Sequence, residues 1–194
     1  MQYVALACRV ALGVVFLVAV AGKVRGRSAF AGFRGSVRGL VPLGPRAVTA
    51  LSGAVVLAEG CVVVLLAIPG TVRAGMMLAG TVLVGFCAGI VRAMRSGSTT
   101  PCRCFGAAGT PLGRRHLVRN AGLLALVAAG LVPGHAAPHP AGVALSVLAG
   151  GVLAVIVIFF DDLADLFAAQ PRHPEEPACP ISSPPSSSSD CCAW

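Results

Sequence analysis

Apolar residues along this chain fall into five long runs, and between the first two lies a shorter segment in which apolar and basic positions alternate at helical spacing. The first run covers about residues 3–22 and stops abruptly at Lys23, Arg25 and Arg27. In residues 28–41, Phe30, Phe33, Val37 and Leu40 recur at helical spacing while Arg34 and Arg38 fall on another face. That pattern predicts a short amphipathic helix lying at a membrane surface, ended by Pro42 and Pro45. A second run spans about 47–68 and is closed by Pro69-Gly70, a turn signal. The third, about 74–91, contains Gly85-x-x-x-Gly89, a small-residue spacing that lets helices approach closely. The fourth, about 117–133, is short for a crossing unless Arg119 extends its charge to the headgroups. The fifth runs from about 141 to 160, after a turn rich in Pro and His.

A bilayer crossing needs about 20 apolar residues, and in lipid each crossing must satisfy its own backbone as a helix. The expected fold is therefore all-α: a polytopic transmembrane helical bundle of four to five membrane-spanning helices plus one short interfacial amphipathic helix. Composition agrees. Hydrophobic residues make up 56% of the chain, charged residues 11%, and mean hydropathy is +0.86, whereas soluble domains carry about 25% charged residues. Ala19-Val20-Ala21 imitates a signal-peptidase site, but Arg9 alone makes a weak basic n-region and more crossings follow, so the first run reads as a retained helix.

The net charge of +8 resides in loop arginines. It speaks for topology and contact with the lipid bilayer, not for nucleic acid, since no nucleic-acid motif is present and aromatics are 5%. The stretches after the first and third runs carry most of the arginines, which predicts an external N-terminus and a cytoplasmic C-terminus. After Asp161-Asp162 the composition changes, and residues 170–194, rich in Pro and Ser, read as a disordered tail following a helical domain over 1–169.

Candidate chemistry concentrates in Pro101-Cys102-Arg103-Cys104-Phe105-Gly106. A Cys-x-Cys pair can close a small, strained disulfide of the kind that passes oxidation on, and Arg103 would favour the thiolate. Structural cysteines remain an equal reading. Zinc is a lesser one, because Cys102, Cys104 and His116 supply three ligands where a structural site needs four. Glu59 is the one acid in the first four runs and falls in mid-crossing. A carboxylate there either locks two helices together or serves as a proton site or polar anchor in a cavity. Lys23 reads as a topology residue extending toward the headgroups, with an ion pair to Glu59 as the alternative. Cys8, Cys61 and Cys87 lie within apolar runs and read as packing residues. His135 and His139 read as solvated, and Cys191-Cys192 as part of the disordered end.

Taken together, Cys102-x-Cys104-Phe105-Gly106, the following Arg119-Asn120, Gly22-Lys23, Pro42 and Glu59-Gly60 resemble the methylamine utilisation protein MauE family, related to the DoxX-like membrane proteins. The resemblance covers roughly residues 3–132; the fifth run and the tail fall outside it. It implies a small helical membrane bundle that assists maturation of a disulfide-rich partner, the methylamine dehydrogenase small subunit, beside a thioredoxin-like protein. By the same resemblance Cys102 and Cys104 match the family's cysteine pair, and Lys23, Glu59, Arg119 and Asn120 its polar positions. Two other functions stand beside a thiol-disulfide relay: a non-catalytic assembly scaffold, and a small-solute or ion carrier using Glu59 and Lys23. A membrane quinone is a conceivable electron acceptor for the relay, although no stretch of sequence marks a site for it.

Overall fold

The computed structural model describes residues 1–95, 114–132 and 139–160. These form six α-helices: α1 (Gln2–Val24), α2 (Arg27–Leu40), α3 (Pro45–Ala67), α4 (Val72–Arg95), α5 (Arg114–Gly130) and α6 (Pro140–Ile158). A single 3-10 turn, Pro69–Thr71, joins α3 to α4. Four segments are long and apolar enough to cross a membrane: α1, α3, α4 with its preceding turn, and α6. The protein is an integral membrane protein. At 17 residues α5 is shorter, about 25 Å at 1.5 Å per residue. It nevertheless runs the depth of the bundle, because Leu123 and Val127 are buried and Gly130 packs against Cys8 and Met76 near the far end.

Helix α1 packs against α2, α3, α5 and α6, and α4 packs against α2, α3 and α5. The core they share is aliphatic, with Leu12, Val15 and Phe16 of α1 meeting Val62, Met76, Leu83 and Leu123. Prolines open two of the helices. Pro45, expected to help stop α2, instead begins α3, where its missing N–H is no loss and its φ suits the first turn. Pro140 does the same for α6, and the exposed His139 caps that helix through Nδ1, accepting from Ala141 N at 3.4 Å.

The end of α3 shows how the bundle meets the demand of lipid that no backbone group stay unbonded. Val64 O accepts from Ile68 N, and Leu65 O accepts from the Thr71 hydroxyl at 2.8 Å. Leu66 O and Ala67 O accept from the Arg9 guanidinium of α1, the latter at 3.0 Å. Arg9, in the middle of an apolar run, is thus a side-chain clamp on a helix C-terminus.

Helix α6 docks on α1 through a stripe of small residues, Gly142, Ser146, Gly150 and Ala154, four apart and on one face. Tyr3 lies against Gly142, and its hydroxyl accepts from His139 N at 3.1 Å. A Cβ at Gly150 would stand 2.5 Å from Ala7 O. The close helix contact thus belongs to α6 rather than to Gly85-x-x-x-Gly89, where a Cβ at either glycine would meet nothing within 4 Å.

The basic residues separate by end. Arg25, Arg27, Arg34, Arg38 and Arg46 around α2 are exposed, as are Arg92, Arg95 and Arg115 where α4 ends and α5 begins. At the opposite end Arg73 is exposed and Arg9 is engaged on α3. Helix α2 turns its arginines outward and buries Phe33, Ser36 and Val37 against α3 and its neighbours. Its apolar face is therefore spent on the other helices rather than on lipid.

Replacing Gly150 by Leu should cost about 1–3 kcal/mol by overpacking the α1–α6 contact, whereas Gly151→Leu, whose Cβ meets open space, should cost little. Urea or SDS unfolding of the two variants in detergent reads the difference, and equal stabilities would show that α6 is not seated on α1 as described.

Candidate functional site

Helices α1 and α3 run antiparallel, since Arg9 meets residues 66–67 while Lys23 meets Glu59. Side chains on a helix lean toward its own N-terminus. Lys23, at the last turn of α1, therefore leans back into the bundle, and Glu59 leans along α3 toward it. The result is a closed ion pair: Lys23 Nζ donates to Glu59 Oε1 at 2.6 Å and to Oε2 at 2.7 Å. Lys23 is 2% exposed and Glu59 1%. The ammonium also lies 5.0 Å from the Phe33 ring centroid and 5.7 Å from that of Phe86, within range of cation–π attraction. The expectation that Lys23 extends toward the headgroups is corrected here. A carboxylate within reach, and two aromatic faces around it, hold the amine inside instead.

The pair lines a cavity of about 370 Å³. Helix α2 supplies one side through Phe33, Val37 and Leu40, and α3 and α4 supply apolar and small residues such as Ala54, Ala58, Gly85 and Gly89. Helix α5 supplies His116, Arg119 and Asn120. Gly85 and Gly89 therefore act by leaving room. Leu51, Ala54 and Gly85 on the rim are exposed, so the cavity opens sideways between α3 and α4, on membrane-spanning segments.

Of the residues singled out from the sequence, Lys23, Glu59, Arg119 and Asn120 converge on this one cavity. Arg119 and Asn120 are 7% and 8% exposed, so Arg119 does not reach for the headgroups. Cys102, Arg103 and Cys104 lie outside the described residues, as do His135, Cys179, Cys191 and Cys192. Cys102 and Cys104 belong to the stretch of sequence that joins α4 to α5, and both helices reach the cavity near that connection, through Ile90 and His116. Cys8 is buried as a packing residue, Cys87 is half-buried and Cys61 is exposed on α3; none of the three forms a disulfide.

Sequence reasoning weighed His116 only as a zinc ligand and missed it as part of the cavity wall. Its place three residues before Arg119, hence on the same helix face, was the available signal. Phe33 and Phe86, the aromatic faces around Lys23, carried no signal beyond their apolar periodicity.

Residues 1–133 match the family described as methylamine utilisation protein MauE. The chain belongs to that family. The match takes in α1 to α5 and with them every residue of the cavity, while α6 lies beyond it. No curated protein and no solved structure matches the chain.

Because removing one member of a buried pair strands the other charge, Glu59→Leu or Lys23→Met should each cost about 3–5 kcal/mol. The double change Lys23→Met, Glu59→Leu should recover much of that loss. A double-mutant cycle read by unfolding in detergent checks this, and strictly additive losses would mean that the two side chains do not depend on each other.

Proposed function

We propose that this member of the MauE family is a membrane thiol-disulfide relay or maturation factor for a partner protein, in which Cys102 and Cys104 cycle between dithiol and disulfide. The observation that carries the reading is the convergence of the buried polar residues on one cavity lined by Ile90 of α4 and His116 of α5, the two helices that the Cys-x-Cys segment joins. Arg103 favours the thiolate of its neighbours. Lys23 and Glu59 act as positioning residues: their ion pair holds α1 to α3, and Phe33 of α2 against the ammonium, beside the segment's attachment points. The partner is a client protein or a thioredoxin-like protein, as the family suggests.

The arginine-rich end, which includes the attachment points of the Cys-x-Cys segment, is cytoplasmic in this reading, with the N-terminus outside. Cytosolic thiols are kept reduced, so the pair would rest as a dithiol and be oxidised during turnover. The carrier alternative draws on the same buried pair. It is disfavoured by the closed geometry, in which each Glu59 oxygen already accepts from Lys23.

Cys102→Ser and Cys104→Ser should each abolish client oxidation while leaving the amount of protein in the membrane unchanged. Full client maturation by the double Ser variant would end the relay reading. Labelling intact membranes with an impermeant maleimide should modify the pair from the cytoplasmic side, and modification from the outside alone would invert the topology. Loss of solute transport in Glu59→Gln, with the Ser variants unaffected, would favour the carrier.

A further inference from the structure

Among the polar groups around the cavity, the ion pair is satisfied within itself, but Asn120 is not. Its side chain is more than nine-tenths buried on the cavity wall, and no described residue hydrogen-bonds its carboxamide. A carboxamide that faces an apolar cavity without a protein partner gains a hydrogen bond when a ligand supplies one. The walls restrict what such a ligand can be. Ala54 and Ala58 on α3 and Gly85 and Gly89 on α4 leave apolar space beside Phe86, which also lines the cavity. An aromatic side chain beside open apolar space offers a face on which a flat ring can stack. The mouth lies on membrane-spanning segments, so the ligand arrives from the bilayer. At about 370 Å³ the cavity sits at the small end of ligand pockets, room for a substituted ring but not for a two-chain phospholipid.

We propose that this cavity binds a membrane-soluble quinone, which enters between α3 and α4, sets one ring oxygen on Asn120, and leaves its apolar tail in the lipid. A carboxamide suits both redox states. Asn120 Nδ2 donates to a quinone carbonyl, and Oδ1 accepts from the hydroxyl of the quinol. The redox use of the site rests on the relay reading above. There, the Cys102 and Cys104 thiols lose two electrons and two protons as an S–S bond forms, and the quinone gains the same two electrons and two protons to become quinol.

The test uses the full chain carrying Cys102→Ser and Cys104→Ser, in nanodiscs of zwitterionic lipid, titrated with decylubiquinone by calorimetry. Saturable binding is expected, weakened at least about tenfold by Asn120→Leu and by Gly85→Leu, which fills the apolar space. Gly53→Leu should bind normally, since its Cβ also meets open space but lies outside the cavity. An unchanged unfolding midpoint in Gly85→Leu ensures that lost binding is not lost folding. Non-saturable uptake, or full binding by Gly85→Leu, would overturn the proposal; so would oleate displacing decylubiquinone at lower concentration than decylubiquinone itself binds. Because the thiols are absent from this variant, a failure to bind leaves the relay standing. Conversely, normal binding without any quinol formed by the cysteine-containing chain would uphold the site and show that its quinone does not accept the relay's electrons.

Discussion

The arrangement of this bundle depends on one buried ion pair. Neither Lys23 nor Glu59 is tolerable alone in a hydrocarbon environment, and bringing both out of water is costly even when they are paired. The pair is viable because both carboxylate oxygens accept from the one ammonium and two aromatic faces surround it. That requirement fixes more than a contact. It sets the depth of α1 against α3, draws Phe33 and hence α2 against the helix ends, and brings Phe86 of α4 to the same point. Four helices are positioned by one charge pair.

The cavity follows from the same arrangement. Where α2 is drawn over α3 and α4, Ala54, Ala58, Gly85 and Gly89 leave space beneath it that larger side chains would fill. Elsewhere the bundle is tightly filled, as at Gly75 against Leu66 and at Gly150 against α1. Small residues thus do opposite work in the two places, bringing helices together in one and keeping a space open in the other.

That contrast marks where reading the sequence reaches its limit. The crossings, the amphipathic α2 and the Pro69-Gly70 turn were legible, because lipid demands long apolar helices and the breaks between them are chemically plain. Glu59 was legible as an anomaly. The fate of Lys23 was not: at a helix end, sequence cannot distinguish an amine that reaches outward from one that leans inward, since only the partner's depth on another helix decides. Nor could Gly85-x-x-x-Gly89 be told from Gly142, Ser146 and Gly150, because with 24 glycines in the chain spacing alone does not say which stripe faces a neighbour. In the sequence Arg9 is only a sparse charge near the N-terminus, and its role depends on the end of α3 arriving beside it. The cysteine pair and the resemblance carried by its surroundings were visible at once, and the family match agrees with that resemblance.

Helix α6 lies outside the family match yet seats firmly on α1. Its presence changes the parity of the chain. After α1, α3, α4 and α5 the polypeptide would finish at the same end where it began, opposite the arginines. One further pass brings it back, so Phe160 stands at the arginine-rich end. The described chain therefore ends beside the end of α4 and the start of α5, the two helices that the Cys102/Cys104 segment joins.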